Sequence, residues 1–236
     1  MKLAIVQPYF MPYIGYWQLM KEVDKFIFYD DVNYIKKGYI NRNNLLINDE
    51  AKRFNIPLVG ASQNRLICDI EVDYSQKWEK KLLNTIYLSY KKARHFEIGY
   101  EMISEIVESK KKSISDLIVF STIKIASHLE IDTDFEISSN LEYDRSLKGQ
   151  EKIMELCKKM NASHYINPQG GMDIYENGLF VKNNIDLSFL STNQLSYDQF
   201  GKADFIPNLS ILDVIMHNSV EQIKELLTQF DLQSKS

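Results

Sequence analysis

The protein has 236 residues, a formal charge of −4 from 28 basic and 32 acidic side chains, and an apolar fraction of 44%. A chain of this size and composition can bury a large core without disulfides or structural metals. The slight acidic excess argues against a dedicated nucleic-acid binder, yet it is compatible with a small anionic ligand bound in a local basic pocket. The two cysteines, Cys68 and Cys157, lie in no zinc-binding or disulfide-framework spacing.

The distribution of apolar residues predicts a cytoplasmic protein. Residues 3–6 form an apolar run that polar Gln7 ends, and this run is too short for the core of a signal peptide. No apolar run approaches the ~20 residues that cross a bilayer. We therefore expect no membrane-spanning segment.

The first half of the chain begins with strand signals and continues with helical ones. Residues 3–6 resemble a buried central strand, and a loop with two prolines then leads into a helix near Tyr16. A second strand is predicted at 25–29, and a hairpin or small β excursion at 34–59. Residues 75–130 contain no proline and have apolar side chains at helical spacing, which predicts two or three helices there.

The second half alternates strands and helices again. The predicted elements are a strand at 135–137, a helix at 149–160, a strand at 163–167, a helix at 174–181, the last strand at 186–190, and a final helix from Ser210 to about residue 230. This alternation favours an α/β fold, namely a Rossmann-like parallel sheet with flanking helices. We expect a single domain over 1–236, with a mainly helical insertion at about 75–130.

The strongest local signal is the loop from Gln7 to Tyr16. Doubly wound sheets bind ligands where a buried strand ends and a helix begins, and helix N-termini favour phosphate. Two prolines stiffen this loop, and Gly15 allows a close approach of a ligand or of the backbone. A rigid, aromatic-packed turn without a ligand explains the same residues. The functional interpretation therefore depends on the position of the loop after the first strand and not on the chemistry of its side chains.

The same loop is similar to a catalytic motif. Tyr13-Ile14-Gly15-Tyr16 stands where nucleotidyltransferases of the HIGH-motif superfamily carry His-x-Gly-His, whose histidines stabilise charge on an ATP phosphate. Tyrosine donates hydrogen bonds but is neutral near pH 7. The similarity implies a HIGH-like scaffold with altered chemistry, with ATP as a possible cofactor.

A second polar cluster follows the second predicted strand. Asp30 and Asp31 end that strand, so on a parallel sheet they face the same edge as Gln7, where a carboxylate can orient an amine or act as a base. Lys36 and Arg42 can neutralise phosphates. The remaining polar residues of the cluster are Tyr34, Asn41 and Asn43. An exposed polar hairpin with capping aspartates is the alternative explanation.

Three later segments add candidate ligand-binding residues. Ser138 and Ser139 follow a predicted strand and can bind phosphate oxygens or cap a helix. Gly170 and Gly171 indicate a tight turn or a close ligand approach, and Tyr197 and Gln199 precede the final helix, where they could act as a lid. The four histidines have no metal-binding spacing, and no P-loop, GxSxG or GxGxxG occurs, so no metal is predicted.

Together, these residues resemble the WbqC-like family along nearly the whole chain. The matching positions are Gln7, Pro8, Pro12, Gly15, Tyr16, Asp30, Asp31, Tyr34, Lys36, Asn41, Arg42, Asn43, Trp78, Tyr87, Tyr90, Ser138, Ser139, Tyr165, Gly171, Tyr175, Tyr197, Gln199, Phe205, Pro207 and 209–213. Asn33 is a departure, because glutamine is expected at that position.

The resemblance implies a role in bacterial surface-polysaccharide synthesis, in which an acyl or aminoacyl group such as glycyl is attached to a nucleotide-linked amino sugar. The donor would be an acyl-adenylate made from ATP, a thioester or a charged carrier RNA. In this hypothesis Asp30 or Asp31 orients or deprotonates the amine, and Lys36 and Arg42 bind phosphates. Tyr9, Tyr13 and Tyr16 stack on the ligand or hydrogen-bond to it. The alternative is a catalytically silent nucleotide- or sugar-binding scaffold, and the oligomeric state stays open.

Overall fold

The computed structural model describes residues 1–201 and 204–235. The strands are β1 (Lys2–Val6), β2 (Lys25–Phe28), β3 (Arg42–Ile47), β4 (Glu50–Asn55), β5 (Leu58–Val59), β6 (Glu71–Val72), β7 (Asp134–Ile137), β8 (His164–Pro168), β9 (Asp186–Thr192) and β10 (Phe230–Ser234). The α-helices are α1 (Ile14–Glu22), α2 (Trp78–Tyr90), α3 (Phe96–Glu108), α4 (Ile114–His128), α5 (Gly149–Lys159), α6 (Asn177–Lys182), α7 (Ile211–His217) and α8 (Val220–Leu226).

Six of these strands form one mostly parallel sheet in the order β7-β2-β1-β8-β9-β10. All neighbouring pairs are parallel except β9 with β10. Two antiparallel pairs, β3 with β4 and β5 with β6, lie outside this sheet. The mixed α/β class with a parallel sheet and flanking helices is therefore confirmed, and the β3–β4 hairpin lies within the predicted β excursion.

The direction of winding reverses at the centre of the sheet. From β1 the chain passes through α1 to β2 on one side, whereas from β8 it passes through α6 to β9 on the other side. Strands that diverge in this way leave a crevice beyond their carboxyl ends. The loop after Val6 and the turn after Pro168 lie at this crevice.

Strand β1 is apolar from Leu3 to Val6 because both faces of the sheet are covered. Along β1, Leu3 and Ile5 point to one core, while Ala4 and Val6 point to the other. Side chains alternate between the two faces of a strand, so a strand buried on both sides needs apolar residues at consecutive positions. The larger core contains α1, α2, α3, α4, α7 and α8, and the smaller one contains α5 and α6.

The predicted helical segment consists of three helices, α2, α3 and α4. Ser113 accepts a hydrogen bond from the backbone N–H of Asp116 and so caps α4, as its residue type favours. Lys110 lies in the connection between α3 and α4 with a positive φ of 46°.

The end of the chain differs from the prediction of one long final helix. Ser219 and Gln222 form a capping box that starts α8, and extended Asn218 separates it from α7. The end of the chain also contains a strand that the sequence did not predict, because residues 230–234 form β10, in which Leu232 pairs with Leu190. The capping box was a readable sequence signal, but an edge strand of mostly exposed residues carries little apolar pattern.

None of the helices in the described ranges is long and apolar enough to cross a membrane.

We expect Gln18 to connect α1 to the end of the chain. Its fully buried amide donates to the carbonyl oxygens of Leu226 (2.9 Å) and Gln229 (3.1 Å). Gln18→Met leaves the buried Leu226 carbonyl and the partly buried Gln229 carbonyl without this amide donor, which should lower the free energy of unfolding by about 1–3 kcal/mol. Amide exchange at Leu232 should accelerate. Gln233→Met, on the exposed surface of β10, is the matched control, and equal effects of the two variants would contradict this role.

Candidate functional site

The loop between β1 and α1 is held in a single conformation by its carbonyl groups. The Met11 carbonyl accepts hydrogen bonds from Asn43 Nδ2 (2.6 Å) and Ser210 Oγ (2.8 Å). The Pro12 carbonyl accepts from Trp17 Nε1 (3.1 Å) and from the backbone N–H of Ile211 (3.0 Å). These donors come from β3, from α1 and from the start of α7, so three distant parts of the chain fix the loop.

The loop is also tied at both of its ends. The Tyr16 hydroxyl donates to the carbonyl of Gln7 at 2.9 Å, and the Phe10 N–H donates to the carbonyl of Ile40 at 3.1 Å. Tyr16 and Asn43, which the sequence proposed as ligand-contacting residues, therefore make intramolecular hydrogen bonds that shape the loop. Gln7 itself is half-buried at the carboxyl end of β1.

A cleft of 260 Å³ lies on the outer side of this loop. Its lining residues are Tyr9, Pro12, Tyr13, Tyr39, Asn43 and Asn208. Tyr13 is 38% exposed and Tyr39 is 52% exposed, and the rings of Tyr9 and Tyr39 lie 6.2 Å apart. The cleft thus presents aromatic faces and hydroxyl groups.

A second cavity of 370 Å³ adjoins the cleft at Asn208. It lies at the carboxyl end of β9, beside Ile14 at the start of α1, and Pro207 and Leu209 are also in its wall. The buried Thr192 Oγ1 has no hydrogen-bond partner among the described residues. Of the described residues, none that lines the cleft or this cavity is Asp, Glu, Lys, Arg, His or Cys.

Tyr9 and Tyr16 of the loop remain protonated at physiological pH. Burial raises the pKa of Tyr16 well above its usual value, and nearby Tyr9 raises it further. Burial is also the main cause of the raised pKa of Tyr9, followed by Tyr13 and Tyr39. These groups can therefore act as hydrogen-bond donors, and a tyrosinate base is not favoured here.

Asp30 lies in a different place, between β2 and the segment after β7. Its carboxylate accepts hydrogen bonds from the hydroxyls of Ser115 (2.7 Å) and Ser139 (3.0 Å) and from the Ser139 N–H (3.0 Å). The Ser138 hydroxyl lies 3.2 Å from Asp30 and shares its one proton with Asp31. Asp30 is only 2% exposed. These donors satisfy the carboxylate, so Ser138 and Ser139 bind an aspartate where the sequence suggested phosphate or a helix cap.

Asp31 is the centre of a buried charged cluster. It accepts hydrogen bonds from Ser138 Oγ (2.5 Å) and the Tyr143 hydroxyl (2.6 Å), and its Oδ2 lies 3.6 Å from both Lys152 Nζ and Arg145 Nε. Lys152 also lies over the ring of Tyr143, 5.3 Å from its centroid. A buried carboxylate with two cations and two hydroxyl donors is well compensated. Both aspartates face the carboxyl edge of the sheet, as predicted, but neither lines the cleft.

The remaining residues of the second cluster shape the loop over 33–41. The Tyr34 hydroxyl donates to Asn41 Oδ1 (2.8 Å), and Asn41 Nδ2 donates to the carbonyl of Ile56 (2.7 Å). Arg42 Nε donates to the carbonyl of Gly38 (2.6 Å), whereas Lys36 is exposed. This loop carries Tyr39 into the wall of the cleft, a residue that sequence reasoning did not select.

The glycine pair after β8 has two different environments. A side chain at Gly170 would meet nothing within 4 Å, whereas a Cβ at Gly171 would lie 1.9 Å from Asn167 Nδ2. Gly171 is therefore needed for packing against Asn167, which is 7% exposed.

Tyr197 and Gln199 bind a buried carboxylate that sequence reasoning missed. Asp213 accepts hydrogen bonds from Tyr197 (2.5 Å), Gln199 (3.0 Å) and Tyr90 (2.7 Å) and has no exposed surface. The predicted lid residues thus anchor the segment after β9 to α7. An aspartate within the apolar sequence of α7 was the signal that could have identified this contact.

The structure therefore brings the selected residues together in three groups. Tyr9, Tyr13 and Asn43 line the cleft, and Gly15 lies beside it. The aspartates and serines form a second group, and the partners of Asp213 form a third. Within residues 1–201 and 204–235, no three His, Cys, Asp or Glu side chains are grouped so that they could hold a metal ion.

Comparison with known proteins identifies the family of this chain. The model of the WbqC-like protein family matches residues 7–225. The chain belongs to the WbqC-like protein family. This WbqC-like protein is also similar to a Mycobacterium tuberculosis protein described as uncharacterized protein Rv1507c, with 26% identity over 223 residues, 93% of this chain and 95% of the relative. No solved structure matches.

We expect Gly15 to be essential for the shape of the loop. A Cβ there would lie 2.4 Å from Thr192 Oγ1 and 2.5 Å from the ring of Tyr13, and Thr192 is a stiff β-branched residue. Gly15→Ala should therefore lower the free energy of unfolding by about 1–3 kcal/mol. Gly170→Ala is the matched control because that position is open, and it should change stability by less than about 0.5 kcal/mol. A urea titration of both variants makes the comparison.

Cys68 should be an unreactive thiol near neutral pH. Burial, followed by Asp30, Asp69 and Asp31, raises its pKa to about 11. The thiolate is the reactive form, so alkylation by iodoacetamide at about pH 8 should be on the order of a hundred times slower than for a free thiol, and the rate should rise about tenfold per pH unit. Unfolding in urea should restore the ordinary rate. Rapid alkylation of the folded protein would contradict a raised pKa of the Cys68 thiol.

Proposed function

We propose that this WbqC-like protein is a transferase or ligase that attaches an acyl or aminoacyl group to a nucleotide-linked amino sugar in bacterial surface-polysaccharide synthesis. The cleft of Tyr9, Tyr13 and Tyr39 is the observation that carries the proposal. It lies next to the loop after β1 and presents stacking surfaces and hydroxyl groups without a fixed charge. A sugar or a nucleobase is the class of ligand that such a surface binds.

The order of the strands supports a nucleotide ligand. Counted along the chain, the parallel strands β1, β2, β7, β8 and β9 lie in the order 3-2-1-4-5. Doubly wound sheets with this order bind nucleotides at the point where the winding reverses. Here that point lies between β1 and β8, immediately before the Gln7 loop.

The phosphates of the ligand are assigned to the loop over 33–41 and its flank. Lys36 is exposed on this loop, and Arg42 follows it at the start of β3. Arg42 uses Nε for the Gly38 carbonyl, so the rest of its guanidinium is available for a phosphate. With this assignment the base or the sugar stacks on Tyr39, which belongs to the same loop and forms part of the wall of the cleft.

The acceptor amine must lose a proton before it attacks an acyl group. Asp30 and Asp31 orient or deprotonate this amine only when the ligand extends from the cleft to the end of the neighbouring strand β2. Their oxygens already accept several hydrogen bonds. The activated donor is an acyl-adenylate made from ATP, a thioester or a charged carrier RNA.

A second candidate function is a sugar- or nucleotide-binding scaffold without catalysis. The absence of ionisable side chains other than tyrosine, among the described residues that line the cleft and its neighbouring cavity, favours this candidate. The two functions share the binding step and differ in whether a product forms.

Binding is tested by thermal unfolding in the presence of UDP- and dTDP-linked amino sugars, ATP and coenzyme A thioesters. A ligand at about 100 times its dissociation constant should stabilise the protein by about 2.7 kcal/mol. Tyr39→Ala should weaken the binding of a nucleotide sugar by about tenfold, because it removes a stacking surface from an exposed position. Arg42→Ala should weaken binding with little effect on stability.

Tyr87→Ala is the matched control, because Tyr87 is a similarly exposed tyrosine on α2. If Tyr87→Ala and Tyr39→Ala bind nucleotide sugars equally well, the cleft is not the site. Mass spectrometry of a reaction with ATP and an amino acid, or with a thioester, then separates the candidates. An acylated sugar supports the transferase, and binding without a product supports the scaffold.

A further inference from the structure

A separate cavity of 450 Å³ shares Tyr197 with the cavity at Thr192. The turn between α2 and α3, the segment after β9, and helices α7 and α8 form its walls. The ionisable residues that line it are Lys92, Arg94, Tyr197, Asp198, His217 and Glu225. Asn218, Gln222 and Gln229 add amide groups, so the lining is polar.

His217 is the most deeply placed base of this cavity. Its side chain is 4% exposed, and its buried Nε2 has no hydrogen-bond partner among the described residues. Nε2 lies 3.9 Å from Asp213 Oδ1, which is too long for a hydrogen bond. Phe200 packs edge-on against the imidazole with 4.4 Å between ring centroids. The ring is therefore held in position, and its Nε2 atom makes no hydrogen bond with the described residues.

Asp213 provides a fixed negative charge behind the imidazole. Its hydrogen-bond donors, Tyr90, Tyr197 and Gln199, are all neutral groups. Of the cationic side chains in the described ranges, His217 alone lies within 4.0 Å of this carboxylate. A protonated His217 would therefore be stabilised by a carboxylate that no other cationic side chain in 1–201 or 204–235 neutralises.

The charges at the rim of the cavity cancel. Lys92 and Arg94 are exposed and form no ion pair with any residue that the structure describes, and Asp198 and Glu225 are exposed acids. Among the described residues of the rim, two positive and two negative side chains cancel. With Asp213 counted, protonation of His217 therefore changes the net charge around the cavity from −1 to zero.

We propose that this cavity binds a small oxyanion, either a carboxylate or a tetrahedral group of the sulfate or phosphate type, and that His217 takes up a proton when the anion binds. Arg94 and Lys92 contact the anion from the turn between α2 and α3. Imidazolium then lies between the bound anion and Asp213. Proton uptake and anion binding strengthen each other by the same factor, because linkage is reciprocal.

The empty cavity favours neutral His217. Burial lowers the pKa of the imidazole and His95 lowers it further, whereas Asp213 and Asp198 oppose this shift. Among the described residues, the charged and titratable groups around His217, from all elements packed against it, are Tyr90, Lys92, Arg94, His95, Tyr197, Asp198, Asp213 and Glu225. An added anion acts in the same direction as Asp213, so binding raises this pKa. The affinity must therefore increase as the pH falls.

The test measures the binding of sulfate and of acetate by the full chain between about pH 5.5 and 8, where neither probe changes its charge. The dissociation constant should decrease as the pH falls, by up to about tenfold per pH unit where neutral His217 predominates in the free protein. In NMR titrations, the pKa of His217 should increase on saturation with the probe. A response to sulfate selects the tetrahedral class, and a response to acetate selects the carboxylate class.

Three variants complete the experiment. His217→Asn should remove the pH dependence, and Arg94→Ala, at an exposed position, should weaken binding at every pH. His128→Asn is the control, because His128 lies at a different cavity and should behave like the unmodified protein. The proposal fails if neither probe binds, if the affinity does not depend on pH, or if the pKa of His217 stays constant on saturation. The NMR measurement uses the unmodified protein and does not depend on the folding of a variant.

Discussion

The conformation of the proposed ligand site depends on the carbonyl groups of Met11 and Pro12. Each accepts two hydrogen bonds, and the donors belong to β3, to α1 and to the residues that begin α7. Met11 has a positive φ of 46°, a conformation that is costly for a residue with a Cβ and persists only where the surroundings enforce it. The strand end, the hairpin and the C-terminal helices thus converge on one short loop.

The polar interior of the protein is mostly structural. Asp30, Asp31 and Asp213 are all buried, and each accepts three or more contacts from hydroxyls, amides or cations. Such carboxylates hold neighbouring segments together: Asp30 joins the ends of β2 and β7 with α4, and Asp213 joins α2, α7 and the segment after β9. Sequence reasoning selected Asp30 and Asp31 for chemistry because it could see their position at a strand end but not their partners.

Two surfaces stay available to a ligand after these internal contacts are made. The cleft of Tyr9, Tyr13 and Tyr39 presents hydroxyls and partly exposed rings. In the His217 cavity, the imidazole Nε2 has no hydrogen-bond partner, and Lys92 and Arg94 form no ion pair, within the described part of the chain. The first suits an uncharged sugar or base, and the second suits an oxyanion. Tyr197 borders the His217 cavity and also the cavity that adjoins the cleft, so one side chain connects the two regions.

The sequence by itself determined the family, the α/β class and most of the helices and strands, because apolar periodicity and capping residues are local signals. It located Tyr9, Tyr13 and Gly15 next to the site through their position after β1. Tertiary structure alone decided that β10 joins the sheet, that Tyr39 and Asn208 complete the cleft, and that Asp213 lies beside His217 and under Tyr197. These outcomes depend on contacts between distant segments, and neither residue spacing nor composition records which partner a buried polar group will find.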